Sequence, residues 1–335
     1  MLQKFLVLSL LSTFIISIIN YYQPPLAFTP TETSNGYEMN KNDPEKSPDA
    51  ASGGTEARGR LSDCTLAEVA ERTGVVILTT TNTAFLDMTL NMFESIKRLR
   101  LCINATIIAE DQRVYEYLHQ LLEGDPGIHV LKTNSGEMGE EELDFIHNRP
   151  KYYGLMNKRQ AYILTLLEQG LEVLFTDTDT YWFRDPLPYF HGDFDMYMVD
   201  LDAYSPRRNK GPARINFCAG FVHFKPTKET LRFVEAWIQT MTTHQRRGQH
   251  IPDQVVMNDL LRERKPVRIK VQPLDSNLFP WGERFYEMLA QGKNYPTVVM
   301  HAATIRGHKA KVEKFRSSGM WLVSNTSEEL LNLGV

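Results

Sequence analysis

The chain has 335 residues, 42% hydrophobic and 23% charged, with 37 Lys and Arg against 41 Asp and Glu for a formal net charge of −4. This ordinary globular composition, with only 3 cysteines, excludes a disordered chain, a collagen-like fibre, a small disulfide-stapled domain and a multi-span membrane protein. The near-neutral balance supplies no field for gathering nucleic acid, so no nucleic-acid partner is expected, and the length admits one large domain or two smaller ones.

Lys4 is followed by Phe5 to Ile19, 15 residues of which 11 are large and apolar and 4 are Ser or Thr. Extended to Tyr22 the run has 18 uncharged residues, close to the roughly 20 that a helix needs to cross a bilayer. Tyr21 and Tyr22 are placed for the interface. A cleaved signal peptide is the rival reading, with Ala27 as its cleavage site. We expect a cytoplasmic tip and retained signal anchor over 1–22, and either reading sends the remainder into the secretory pathway. Residues 23–60 read as a flexible stem, since 19 of these 38 residues are Pro, Gly, Ser, Thr or Asn, and only Leu26, Phe28, Tyr37 and Met39 are large and apolar. That leaves 61–335 as the folded, lumenal domain. Asn104-Ala105-Thr106 and Asn325-Thr326-Ser327 are glycosylation sequons that suit such an exit. Cys64 with Cys102 is the expected disulfide because Cys218 lies in a core-like strand; three buried thiols are the alternative.

From residue 74 strands and helices alternate. The pattern predicts strands over 74–80, 106–109, 128–131 and 172–176, helices over 84–99, 112–122 and 156–169, and a polar loop over 136–150. Such alternation implies an α/β fold with a Rossmann-like, mostly parallel mixed sheet and helices on both faces. Ligands of that architecture bind beyond the carboxyl ends of the strands. There, after Val173-Leu174-Phe175-Thr176, stand Asp177 and Asp179. An extended Asp-x-Asp turns both carboxylates to one side, where at about 4 Å they repel by roughly 1 to 4 kcal/mol. A divalent cation removes that repulsion, and hard oxygen ligands select Mg2+ or Mn2+, which typically take further ligands from a diphosphate. The bland reading, a solvated turn, loses ground because of the strand that precedes the motif. Haloacid-dehalogenase phosphatases also place Asp-x-Asp after a strand, but want Thr or Val two residues on, where this chain has Tyr181. No glycine-rich dinucleotide or phosphate-loop pattern is present.

Further pieces follow in order: Lys158-Arg159, Val173 to Pro188, Cys218-Ala219-Gly220-Phe221-Val222-His223-Phe224-Lys225-Pro226-Thr227, Asp253-Gln254 with Asn258, Leu278 to Gly282, and His301 with Gly307, Lys309 and Gly319-Met320-Trp321. From about Tyr152 to Trp321 the chain thereby resembles the nucleotide-diphospho-sugar transferases that include the plant rhamnogalacturonan (fucose alpha-1,3-) xylosyltransferases and extensin arabinosyltransferases. The resemblance implies a GT-A glycosyltransferase fold using a UDP-sugar donor and Mn2+ or Mg2+. It places Asp177, Asp179 and His301 at the metal, Lys309 at the diphosphate, Lys158 at the donor site, and Asp253 and Gln254 beside the reacting sugar. Read from the residues alone, His301 ends an apolar strand and Lys309 lies on a basic face with Lys311 and Lys314. Asp253 would be the acidic first turn of a helix. Where many relatives have Asn-Thr-Gly or Asn-Ser-Gly this chain has Cys218-Ala219-Gly220, with Asn216 two residues earlier. The expectation is a type II Golgi membrane protein that transfers a sugar, xylose by family weight, to a glycan or glycoprotein acceptor with retention. The alternative is a catalytically silent lumenal carbohydrate-binding or scaffolding protein on the same fold.

Overall fold

The computed structural model describes residues 64–72, 74–133, 149–203, 216–292 and 296–334. The expected anchor and stem, and most of the expected loop over 136–150, lie outside them; among the described residues no helix is long and apolar enough to cross a membrane.

Helix α1 (Leu66–Glu71) starts at a reciprocal cap, in which Thr65 and Glu68 satisfy each other's backbone amides. Cys64 beside it forms a disulfide with Cys102, Cα atoms 5.5 Å apart, and Cys218 is a free, buried thiol. Closing 38 residues of sequence separation is worth roughly 3 to 4 kcal/mol on a chain-entropy account.

β1 (Val75–Thr81), α2 (Leu86–Arg98), β2 (Ala105–Ala109), α3 (Gln112–Leu121), β3 (Ile128–Lys132) and β4 (Glu172–Thr176) follow the sequence expectation within a residue or two. The expected helix over 156–169 is α5 (Arg159–Leu167), and α4 (Arg149–Met156), which the sequence pattern does not predict, precedes it. Pro150 is no obstacle in a first turn. The break comes at Asn157 and Lys158, where Lys158 N–H turns back to the Leu155 carbonyl at 3.1 Å. It re-aims the start of α5, so that Arg159 and Gln160 point inward and are 5% and 1% exposed.

β5 (Thr180–Trp182), β6 (Met196–Asp200), β7 (Phe217–Phe224), α6 (Lys228–Arg246), α7 (Asp253–Glu263), β8 (Val271–Leu274), α8 (Gly282–Ala290), β9 (Val299–His301), α9 (His308–Ser317) and α10 (Ser327–Leu333) complete the chain. The main sheet has the order β3-β2-β1-β4-β7-β6-β8, and β5 pairs with β9 in a small second sheet. Pairs β1–β2, β2–β3, β1–β4 and β6–β8 are parallel, whereas β7 runs antiparallel to both β4 and β6. Because successive strand residues face opposite ways, Val76, Leu78, Val173 and Phe175 enter one core with Trp237 and Val256. Ile77 and Leu174 enter the other, with Phe93 and Trp182. The sheet is thus buried on both faces, which explains the near-continuous apolar strands. Strand order reverses between β1 and β4, so a crevice opens beyond their carboxyl ends. The Asp-x-Asp stands at that edge.

Candidate functional site

Asp177 leaves β4 with its amide bonded to the Gly220 carbonyl at 2.7 Å, which ties the motif to the middle of β7. The Thr180 hydroxyl bonds the Asp177 carbonyl at 3.2 Å and shares a 3.0 Å contact with Thr176, which fixes the turn between the two carboxylates. β5 then pairs antiparallel with β9, with Thr180 opposite His301, and the Ala302 amide donates to the Asp179 carbonyl at 2.9 Å. Two distant segments are thereby locked side by side. His301 Nε2 lies 3.1 Å from Asp179 Oδ1 and 3.5 Å from Asp177 Oδ2.

Two cations complete this cluster. Arg159 Nη1 meets Asp177 Oδ1 at 2.9 Å while its Nε meets Asp253 Oδ2 at 2.6 Å, so one guanidinium joins the Asp-x-Asp to the start of α7. Lys311 Nζ meets Asp179 Oδ2 at 2.5 Å. Burial works against ionising Asp179, but the Lys311 ammonium and the His301 ring outweigh it and hold the carboxyl far below the usual carboxylate range. For His301, burial opposes the charged ring, yet Asp179, the Cys218 sulfur and Asp177 push its pKa well above the ordinary histidine value.

Asp253 is 4% exposed and accepts from Arg159, from Gln160 Nε2 at 2.7 Å and from the Gln254 amide at 2.7 Å. Its carbonyl receives Trp237 Nε1–H at 2.9 Å. The residue therefore does more than supply an acidic first turn. Gln254 Oε1 accepts the Ala219 amide at 3.1 Å, and Asn258 exchanges bonds of 2.7 and 2.9 Å with the backbone of Phe217. These contacts fasten α7 to β7. The Cys-Ala-Gly departure falls on the same stretch: Cys218 Sγ lies 3.5 Å from His301 Nδ1, and Asn216 bonds Asp202 at 3.2 Å.

The structure therefore gathers Asp177, Asp179, His301, Asp253 and Gln254 at one strand-end site. Lys158 is half-buried at the head of α5, its pKa lowered by burial against the opposing pull of Glu110 at the end of β2. Lys309 is exposed on α9, and Lys311, two residues on, reaches the cluster instead. Motif reading names Arg159, in Lys158-Arg159, and Lys311, in the basic run, without giving either a role, and passes over Gln160; the signal for Gln160 is its position next to a motif.

The donor set fits a divalent cation. One ligand atom each from Asp177, Asp179 and His301 lies within 4.8 Å of the others, two hard oxygens and an imidazole nitrogen. Gly220 keeps the cradle open: a Cβ there would stand 2.1 Å from Asp177 Oδ2 and 2.4 Å from His301 Cε1.

The family model described as nucleotide-diphospho-sugar transferase matches residues 101–315, well over half of the chain. The UDP-D-xylose:L-fucose alpha-1,3-D-xylosyltransferase 1 of Arabidopsis thaliana is 24% identical over 81% of this chain and 78% of its own length. The UDP-galactose:fucoside alpha-3-galactosyltransferase of Dictyostelium discoideum is 22% identical over 73% of the chain, which spans only 42% of that relative. Among solved structures, the galactosyltransferase LgtC with donor and acceptor sugar analogues aligns with a TM-score of 0.49 at 14% identity, covering 76% of this chain and 99% of that one. On the extent of the family match, the chain belongs to the nucleotide-diphospho-sugar transferase family.

Proposed function

We propose that the protein is a metal-dependent glycosyltransferase of GT-A architecture that moves a sugar from a UDP-sugar to an acceptor hydroxyl with retention of configuration. The observation that carries this reading is the convergence of Asp177, Asp179 and His301 at the switch point of the sheet, joined through Arg159 to Asp253. A Mn2+ or Mg2+ ion held by these three side chains would neutralise charge on the departing diphosphate, an electrostatic effect largest in the transition state. The residues around it divide the remaining work. Arg159 fixes the Asp253 carboxylate, which orients the hydroxyls of the donor sugar and adds negative charge beside an oxocarbenium-like carbon. Gln254, a neutral amide and a poor nucleophile, faces that carbon while the acceptor oxygen enters on the diphosphate's own side. The bond from the anomeric carbon to the diphosphate oxygen breaks, and the acceptor's proton leaves with that oxygen.

Xylose is the donor sugar we favour, by similarity to the Arabidopsis xylosyltransferase. A glycan or glycoprotein is the acceptor, and residues 1–22 anchor a single-pass type II protein in the Golgi membrane. The test is a donor screen across UDP and GDP sugars with Mn2+, read as nucleotide release and sugar transfer. The expected result is turnover with one or two UDP-sugars that chelation abolishes. Absence of turnover with every donor would favour the silent carbohydrate-binding alternative.

The reacting face has its own test. Gln254→Ala should leave UDP binding intact and lower turnover on the order of 100-fold, the usual loss for one positioned electrostatic partner. Mass spectrometry should find no sugar adduct on the protein. An adduct trapped on Asp253 would shift the mechanism to double displacement.

A further inference from the structure

Asp177 and Asp179 are each already paired with a cation, but the two cations are held very differently. Arg159 has a 6% exposed side chain, a second carboxylate at 2.6 Å and the Phe175 ring under its guanidinium at 5.1 Å. It is fixed from three sides. Lys311 has a 20% exposed side chain at the end of a flexible four-carbon stem on α9, and it meets Asp179 Oδ2 at 2.5 Å. More of its side chain touches solvent than of Arg159's.

Asp179 offers its other oxygen to His301 at 3.1 Å, so a divalent ion and the Lys311 ammonium claim the same small carboxylate. Like charges that close repel strongly in a half-buried site. We propose that Lys311 is a displaceable counterion: it competes with the divalent cation for Asp179 and, once displaced, turns to the diphosphate that the cation presents. This rests on the cation reading above and adds a coupling to it. The cation must remove Lys311 from Asp179, and an anion that accepts the freed ammonium makes that removal easier. Nucleoside diphosphate therefore strengthens cation binding beyond what a shared phosphate ligand gives, and by linkage the cation strengthens nucleotide binding by the same factor.

Full-length protein and its variants would be titrated with Mn2+ by calorimetry or electron paramagnetic resonance, with and without UDP. Lys311→Met removes the competitor, so Mn2+ alone should bind about tenfold more tightly than to wild type, in the range that one near charge supplies. Lys311→Arg keeps the charge and should stay within about twofold of wild type. In saturating Mn2+, UDP should bind Lys311→Met about tenfold more weakly, so its gain in Mn2+ affinity from UDP shrinks. Lys311→Gln should give the same directions if the methionine variant melts early. Unchanged or weakened Mn2+ affinity in both neutral variants, with wild type binding Mn2+ through Asp179, would overturn the counterion role and leave the metal site standing. Wild type binding no Mn2+, with Asp179→Asn no different, would remove the metal site and this proposal together.

Discussion

Asp179→Asn should yield a folded protein whose turnover falls by at least about 1000-fold and whose Mn2+ binding is lost in the same titration. The site places the largest charge change in the reaction at the diphosphate, and removal of one preorganised electrostatic partner costs roughly 100- to 1000-fold. Asp179 should lie at or beyond the top of that range because the substitution takes away an anionic ligand and weakens the alignment of a second ligand, His301. His301 is aligned by Asp179 Oδ1 at 3.1 Å, and a neutral amide there holds the ring less strongly than the carboxylate does. Stability should suffer less than activity. Lys311 has 20% of its side chain in contact with solvent and can rehydrate, so the full penalty of an orphaned buried charge does not arise. Asp177→Asn should behave similarly in turnover but cost more stability, since Arg159 loses one of its two carboxylates in a site where it is only 6% exposed. Thermal melts, Mn2+ titration and transfer assays on the two variants make the comparison. Wild-type turnover in Asp179→Asn would remove the carboxylate from the mechanism.

The elements that sequence displays and those it hides differ in a physical way. Strands β1 to β4 are legible because both their faces are buried, so each is a short unbroken apolar run flanked by helical periodicity. The Asp-x-Asp is legible for the same reason, since it interrupts such a run at its carboxyl end. His301 is half-legible: the apolar run before it is visible, whereas the pairing of β5 with the distant β9, Thr180 opposite His301, that sets it beside Asp179 is a tertiary fact. Apolar spacing starts the helix at 156, whereas α5 starts at Arg159, after a turn at Asn157 and Lys158 that only its backbone bonds reveal. That turn decides which residue of the Lys158-Arg159 pair turns inward. The choice between Lys309 and Lys311 depends in the same way on the phase with which α9 leaves Gly307, a residue at φ 84° that sequence spacing cannot register.

Arg159→Met should be the most damaging single change outside the carboxylates, and it should damage stability as well as activity. The side chain of Asp253 is 5% exposed, and among the described residues its side-chain partners beyond Arg159 are two neutral donors, Gln160 Nε2 and the Gln254 amide. Breaking a buried ion pair from one side costs about 3 to 5 kcal/mol, because the remaining charge keeps its desolvation penalty without its partner. For a domain of this size that is roughly 10 °C or more in melting temperature. Turnover should fall with it, since the same guanidinium sets the positions of Asp177 and Asp253 relative to each other. Arg159→Lys should recover little, because an ammonium cannot span two carboxylates with the separate Nε and Nη1 donors that the site uses. The second substitution Asp253→Asn separates the two effects. Placed on Arg159→Met, it replaces the orphaned anion with a neutral amide whose oxygen accepts the Gln254 amide and whose NH2 donates to Gln160 Oε1 once that side chain flips, so most of the lost stability should return while activity stays absent. A melt of the four proteins of this cycle measures the coupling directly, and an energy near zero between positions 159 and 253 would show that the bridge does not hold the site together.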